Sequence, residues 1–225
     1  MVMGELRMHA LSIIEIRDMF GASTELAGTL RQLAGERFRV AAPQHRQRGL
    51  LGKLGPFLKR SAADSPVFPD GMPLPSDWEN LIAGRYIAPD RVDVSWQVID
   101  TWVDALDWGT WTAPVAPSGL DDLDFALARA GMPSRYGLRK LMADDPQLTI
   151  RPGTGMRVGY SKNQHVLATL ASLEQVVDEV DESHRPIAQG LRDFLADIPR
   201  WTAEATELNR PAPDLFVVWR DDIRG

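Results

Sequence analysis

From Asp90 to Trp108 apolar and polar residues recur at helical spacing. Val92, Trp96, Ile99, Val103 and Leu106 fall on one stripe, and Val94, Val98 and Trp102 widen it to about half of the circumference. The remaining polar strip holds Asp93, Gln97, Asp100, Asp104 and Asp107, with no Lys or Arg between residues 92 and 108 to offset the aspartates. Like charges one helical turn apart repel by about 0.2–0.5 kcal/mol per pair. The strip therefore does nothing for the helix that carries it. It is either a solvated face or a surface that awaits something basic.

The same reading along the rest of the chain predicts a first strand over Met8–Ile14 and a short helix capped by Ser12 that ends at Gly21. Ser23 then opens a helix with Leu26, Leu30 and Leu33 inward. Residues 61–77 contain four prolines and a glycine, which makes them a long loop or linker, and Ser76 or Asp77 caps the short helix that follows. Trp108–Val115 reads as a strand or extended loop, Leu120–Ala130 and Arg135–Met142 as helices, and Met156–Tyr160 as a strand. A long helix opens at Ser161, and another runs from Pro186 to Leu208 with a kink at Pro199. Asp214–Arg220 has a continuous apolar centre, the pattern of a strand buried on both faces. The expected architecture is α+β, mostly helical with a small mixed sheet of three to five strands. One domain over residues 1–225 accommodates all of it.

Composition narrows the class. With 44% hydrophobic and 25% charged residues in 225, the chain reads as an ordinary globular protein. It has no cysteine, which excludes disulfides, thiolate metal sites and thiol catalysis and suits the cytoplasm. Neither a signal-peptide core nor an apolar run of membrane-spanning length is found, so a cytoplasmic protein without a membrane partner is expected. Charge is uneven. Residues 37–60 carry Arg37, Arg39, Arg46, Arg48, Lys53, Lys59 and Arg60 with no acidic residue, so the net charge of −6 leaves −13 on everything else. An acidic body disfavours nonspecific nucleic-acid binding and favours encounter with a basic partner. The basic segment, with its leucines and Phe57, can dock on a membrane or nucleic acid, pack into the core, or lie across the acidic strip; the charge of the body favours the last two.

No motif of established chemistry survives inspection. The glycine-rich stretch Arg151–Gly159 lacks the Lys-Ser/Thr and the preceding strand of a phosphate loop and reads as a turn into a strand. His9, His45, His165 and His184 have no metal-ligand spacing, and there is no nucleophile elbow. The acidic groups Asp121, Asp122 and Asp124, Asp144 and Asp145, and Asp178, Glu179, Asp181 and Glu182 sit at helix ends and turns, where carboxylates have structural uses. No catalytic residue, cofactor or metal is assigned. Of seven tryptophans, Trp96 and Trp102 read as core, whereas Trp108 and Trp111 flank a turn and are candidates for a binding hot spot.

The order of these elements resembles the YfbM-like family of small bacterial proteins of unknown function. The matching stretches are Leu11–Leu33, Ser95–Leu106, Val158-Gly-Tyr-Ser-Lys-Asn-Gln-His-Val166 and Asp214–Arg220. The resemblance implies a single α+β domain and supplies no catalytic residue. It also implies a binder in the style of immunity proteins encoded beside bacterial toxins. The expected function is thus a protein-binding module, most concretely an immunity protein that inhibits a basic toxin. In that reading Asp93, Asp100, Asp104 and Asp107 pair with the partner's cations, and Trp108 and Trp111 anchor it. The alternatives are a hydrolase-like enzyme whose helix carboxylates face His165 or Tyr160, and a nucleic-acid binder through residues 37–60.

Overall fold

The computed structural model describes residues 4–39, 69–116 and 118–221. Within it, strand β1 (Gly4–Ala10) alternates strictly: Leu6, Met8 and Ala10 are buried on one face, while Glu5, Arg7 and His9 occupy the other. The strand expected over Met8–Ile14 therefore begins and ends earlier. Beyond Ala10 the chain turns, Ser12 caps the helix α1 (Ile13–Asp18) through its hydroxyl, and Gly21 at φ 81° closes the corner. Strand β4 (Leu215–Asp221) lies beside β1 at the sheet centre, and its first five residues are all buried, as its apolar run predicts. With β2 (Thr110–Val115) and β3 (Met156–Ser161) as edges, the order is β2-β1-β4-β3. All three pairings are antiparallel, so the sheet is not mixed: each connection returns the chain to the sheet at the end it left. Pro114 lies in edge strand β2, where a missing N–H is tolerated. Among the described residues the free side of β3 carries one bridge, Tyr160 N–H to the Asp144 carbonyl at 3.1 Å.

One helical layer covers each face of the sheet. The first contains α1, α2 (Thr24–Arg37, capped by Ser23 as expected), α3 (Pro75–Ile82) and α4 (Val92–Leu106). The second contains α5 (Gly119–Arg129), α6 (Leu138–Leu141), α7 (Asn163–Val176), α8 (Arg185–Leu195) and α9 (Ile198–Glu207). Helices α8 and α9 replace the single kinked helix expected over Pro186–Leu208. Pro199 stands in the first turn of α9, where it needs no N–H; inside one continuous helix its ring would clash with a carbonyl one turn back. The expected helix start at Ser76 or Asp77 moves to Pro75, because the Asp77 carboxylate reaches back to accept from Leu74 N–H at 2.6 Å. Most of the basic segment (residues 40–60) and of the proline-rich loop (61–68) lies outside the described residues.

Helix α4 is the most enclosed element of its layer. Trp96, Ile99 and Val103 share a core with Phe216, Val218 and Met156 of the sheet. Trp102 is fully buried and donates from Nε1 to the Leu30 carbonyl of α2 at 2.9 Å. That bond satisfies a polar group which would otherwise cost about 1–3 kcal/mol in the interior.

At the sheet end where Ala10, Ser161 and Leu215 are aligned, one buried carboxylate organises three segments. Asp214 Oδ2 accepts from Ile13 N–H and from Lys162 Nζ, both at 3.1 Å, and Oδ1 accepts from Asn163 N–H at 3.0 Å. The first N–H groups of α1 and α7 thus share one anion, which their positive helix ends favour.

This packing sets the stability effect of three substitutions. Asp214→Ala removes the acceptor of the first N–H of both α1 and α7, leaving the Ser12 cap in place, and should cost about 1–3 kcal/mol in urea unfolding; a cost under about 0.5 kcal/mol would show that the shared carboxylate is dispensable. Gly159→Ala drives a Cβ into the Met142 carbonyl and should destabilise by about 1–3 kcal/mol. Gly28→Ala, exposed on α2 with open space at the Cβ position, should instead stabilise by about 0.5–1 kcal/mol.

Candidate functional site

The register of the sheet divides its α4-side face into two halves. Three rows run across it: Thr110–His9–Phe216–Tyr160, Thr112–Arg7–Val218–Val158 and Pro114–Glu5–Arg220–Met156. The β4–β3 half is apolar apart from Arg220, and α4 packs its apolar stripe there. The β2–β1 half is polar. Over it lie Asp104 and Asp107 of the α4 strip.

The fit between strip and sheet has a simple origin. Four residues along a helix advance about 6 Å, and two residues along a strand advance about 6.7 Å. Carboxylates at one-turn spacing can therefore meet alternate strand residues in turn. Asp100 takes both oxygens to Arg220 Nη2, at 2.8 and 2.6 Å. Asp104 lies between Arg7 (Nη1–Oδ2 3.9 Å) and His9 (Nδ1–Oδ1 3.6 Å). Asp107 Oδ2 is 2.8 Å from His9 Nδ1 and also accepts the Thr110 hydroxyl. Asp93, at the far end of the helix, accepts from Thr154 N–H at 3.2 Å. The cations that the helix itself lacks are supplied by β1 and β4.

His9 is the residue that sequence reasoning missed. It is 1% exposed, held on a central strand, and flanked by Phe216. The signal was present in the alternation of Gly4–Ala10, whose polar face had to meet something polar once the strand lay at the sheet centre. His165, by contrast, lies on α7 in the opposite layer, 5.6 Å from the Tyr136 ring, and does not face the α4 carboxylates. Tyr160 lies on the α4 side of the sheet but stacks beneath Arg17 and Lys162. A serine-protease-style relay uses both imidazole nitrogens. Here Asp107 and Thr110 both meet Nδ1, which rules out that arrangement among these three residues.

Beside the cluster an open cleft of about 510 Å³ is lined by Arg7, Arg37, Phe38, Gln97, Asp100 and Asp104 among others. Asp104 is its distinctive group. Its side chain is 47% exposed, and it makes no hydrogen bond among the described residues. Partial burial pushes its carboxyl above the ordinary aspartate range; Asp100 and Asp107 push the same way, against His9 and Arg7.

The structure does not gather the six expected partner-binding residues on one surface. Asp100, Asp104 and Asp107 stand together on the cleft side. Asp93 borders a separate hollow with Gly153 and Thr154. Trp108 and Trp111 pack against the core on the other side of the sheet, where Trp108 lies under the Arg210 guanidinium at 4.6 Å and Trp111 approaches Gly190 of α8. Four of the remaining acidic groups have structural uses: Asp121 pairs with Arg139, Asp124 caps Leu138, Asp145 accepts from Gln147 N–H, and Asp181 holds a turn. Asp181 accepts from Ser183 and His184, which lowers its carboxyl to about 2.

The raised Asp104 carboxyl has a consequence for stability. The folded protein binds more protons than the unfolded chain between the unfolded aspartate value, about 3.9, and the higher folded value. Stability contributed by this group is therefore lost as pH rises through that window. Asp104→Asn should match wild type near pH 3.5 and exceed it at pH 7 in urea midpoints; a less stable variant at pH 7 would contradict the assignment. No family model, curated protein or solved structure matches this chain.

Proposed function

We propose that the protein is a protein-binding module whose working surface is the cleft beside α4, with immunity to a basic toxin as the most concrete form of that reading. The observation that carries it is Asp104, a half-exposed carboxylate that accepts no hydrogen bond among the described residues, on the wall of a concave surface. A partner's lysine or arginine supplies what Asp104 lacks, while Arg7 and Arg37 on the same cleft meet the partner's acidic groups. The reading thereby narrows from four aspartates to one principal contact. Asp100 and Asp107 hold the cleft wall through Arg220 and His9. Asp93 contributes to the field rather than to the contact. The absence of a transmembrane-length apolar helix among the described residues is compatible with this role.

A second reading draws support from the buried His9–Asp107 pair, an acid–base couple next to a cleft. It makes the protein a small-molecule enzyme in which Asp104 and His9 handle a proton.

The two readings separate in one experiment. Tagged wild-type protein is incubated with native lysate at about 50 mM salt, where exposed charges still interact over some 14 Å. The binding module should retain a stoichiometric basic protein that is released by salt and lost with Asp104→Lys. Association rate should fall on the order of tenfold in that variant. Capture that Asp104→Lys leaves untouched, or no capture at all, overturns the reading and favours the enzyme.

A further inference from the structure

His9, Asp104 and Asp107 come from two separate elements, β1 and the C-terminal end of α4, and they converge on a single point. One imidazole nitrogen and two carboxylate oxygens lie within 4.8 Å of one another. We propose that these three residues form a binding site for a divalent transition-metal ion of the zinc, cobalt or manganese kind, open to the cleft on its Asp104 side.

The distances leave room for an ion with little movement of the three side chains. Ligand bonds of about 2.0–2.2 Å place neighbouring donors some 3–3.5 Å apart. His9 Nδ1 stands 2.8 Å from Asp107 Oδ2 and 3.6 Å from Asp104 Oδ1, which brackets that separation. A single Nδ1 proton satisfies one carboxylate, and Asp107 has it. Asp104 is left at 3.6 Å, too far for a hydrogen bond. An ion between the three donors engages both carboxylates at once. When the ion takes Nδ1, the single imidazole proton is carried on Nε2, so His9 binds as a neutral ligand.

Burial makes the donors rigid where rigidity helps. The His9 side chain is 2% exposed and that of Asp107 is 7%, so two donors are fixed by packing. Asp104, at 47%, is free to close on the ion and leaves coordination positions for water or a ligand from the cleft. The Thr110 hydroxyl, 3.1 Å from Nδ1, is a neutral group within reach of the same point. Arg7, tied to Glu5 and 3.9 Å from Asp104, opposes a cation here, so the two carboxylates must outweigh it. The donor chemistry selects the metal. Imidazole with carboxylates suits zinc, cobalt and manganese, whereas calcium and magnesium favour all-oxygen sets and copper(I) favours sulfur.

This inference needs no partner protein, so its failure leaves the binding-module reading standing, and the reverse also holds. The test uses the full chain after chelator treatment, titrated separately with Zn²⁺, Co²⁺ and Mn²⁺ by calorimetry, with cobalt absorption and the His9 imidazole ¹⁵N shift as spectroscopic readouts. One equivalent should bind, with the His9 resonance shifted by Zn²⁺. Asp104→Asn, at a half-exposed position that tolerates the change, should weaken binding at least about tenfold, and Asp93→Asn should leave it unchanged. His9→Gln should abolish binding; if that buried change prevents folding, Asp104→Asn and the ¹⁵N shift decide. No binding at about 1 mM metal, or binding that Asp104→Asn leaves intact with His9 unshifted, overturns the site.

Discussion

The two layers of this fold diverge from one carboxylate. Asp214 precedes the central strand β4, and its oxygens receive the first backbone N–H of α1 on one side and of α7 on the other. Those helices follow β1 and β3, and they belong to opposite faces of the sheet. Each helix start leaves N–H groups without intrahelical partners, and burying them unpaired would be costly. A single anion at the point where Ala10 and Ser161 both align with Leu215 resolves the two starts together. Asn163 adds to the joint by donating through Nδ2 to the Pro213 carbonyl at 2.8 Å. Sheet register and helix direction are thereby fixed at the same place.

A second constraint acts on α4. Its apolar stripe needs the β4–β3 half of the sheet, which leaves Asp104 and Asp107 over the β2–β1 half and Asp100 at its border with β4. That arrangement is tolerable only because β1 and β4 present Arg7, His9 and Arg220 at matching intervals. Partly buried charges interact several times more strongly than exposed ones, so the pairs position the helix along the strand direction as well as offsetting its charge. Arg220 and Asp100 illustrate this, with both side chains mostly shielded. The helix is held in register by polar contacts on one flank and by packing on the other.

The sequence was a good guide wherever a pattern is local. Ser12 and Ser23 cap the helices they were expected to cap, and the apolar run after Asp214 is a buried strand. The α4 periodicity was also legible, with the helix itself starting at Val92 after a short turn at Pro89–Arg91. Local patterns were less informative where tertiary context decides. The start of β1 was obscured because its outward residues, Glu5, Arg7 and His9, are polar in a strand that lies at the sheet centre. A period-2 reading from Gly4 would have found it. The candidate site was half legible. Its carboxylates stood out as a strip without cations, but the cations lie about a hundred residues before and about a hundred and twenty after, on strands whose pairing no local window displays.

The edges of the sheet bear on how the protein behaves in company. An exposed strand offers a row of donors and acceptors to any neighbouring chain, and sheet growth by that route leads to aggregation. Pro114 interrupts the donor row of β2, and the bridge from Tyr160 to Asp144 occupies part of the free side of β3. A four-stranded sheet terminated in this way presents a broken template on both flanks. A crowded solution of this protein therefore meets resistance to edge-to-edge stacking that comes from the backbone itself, in addition to the repulsion between negatively charged molecules.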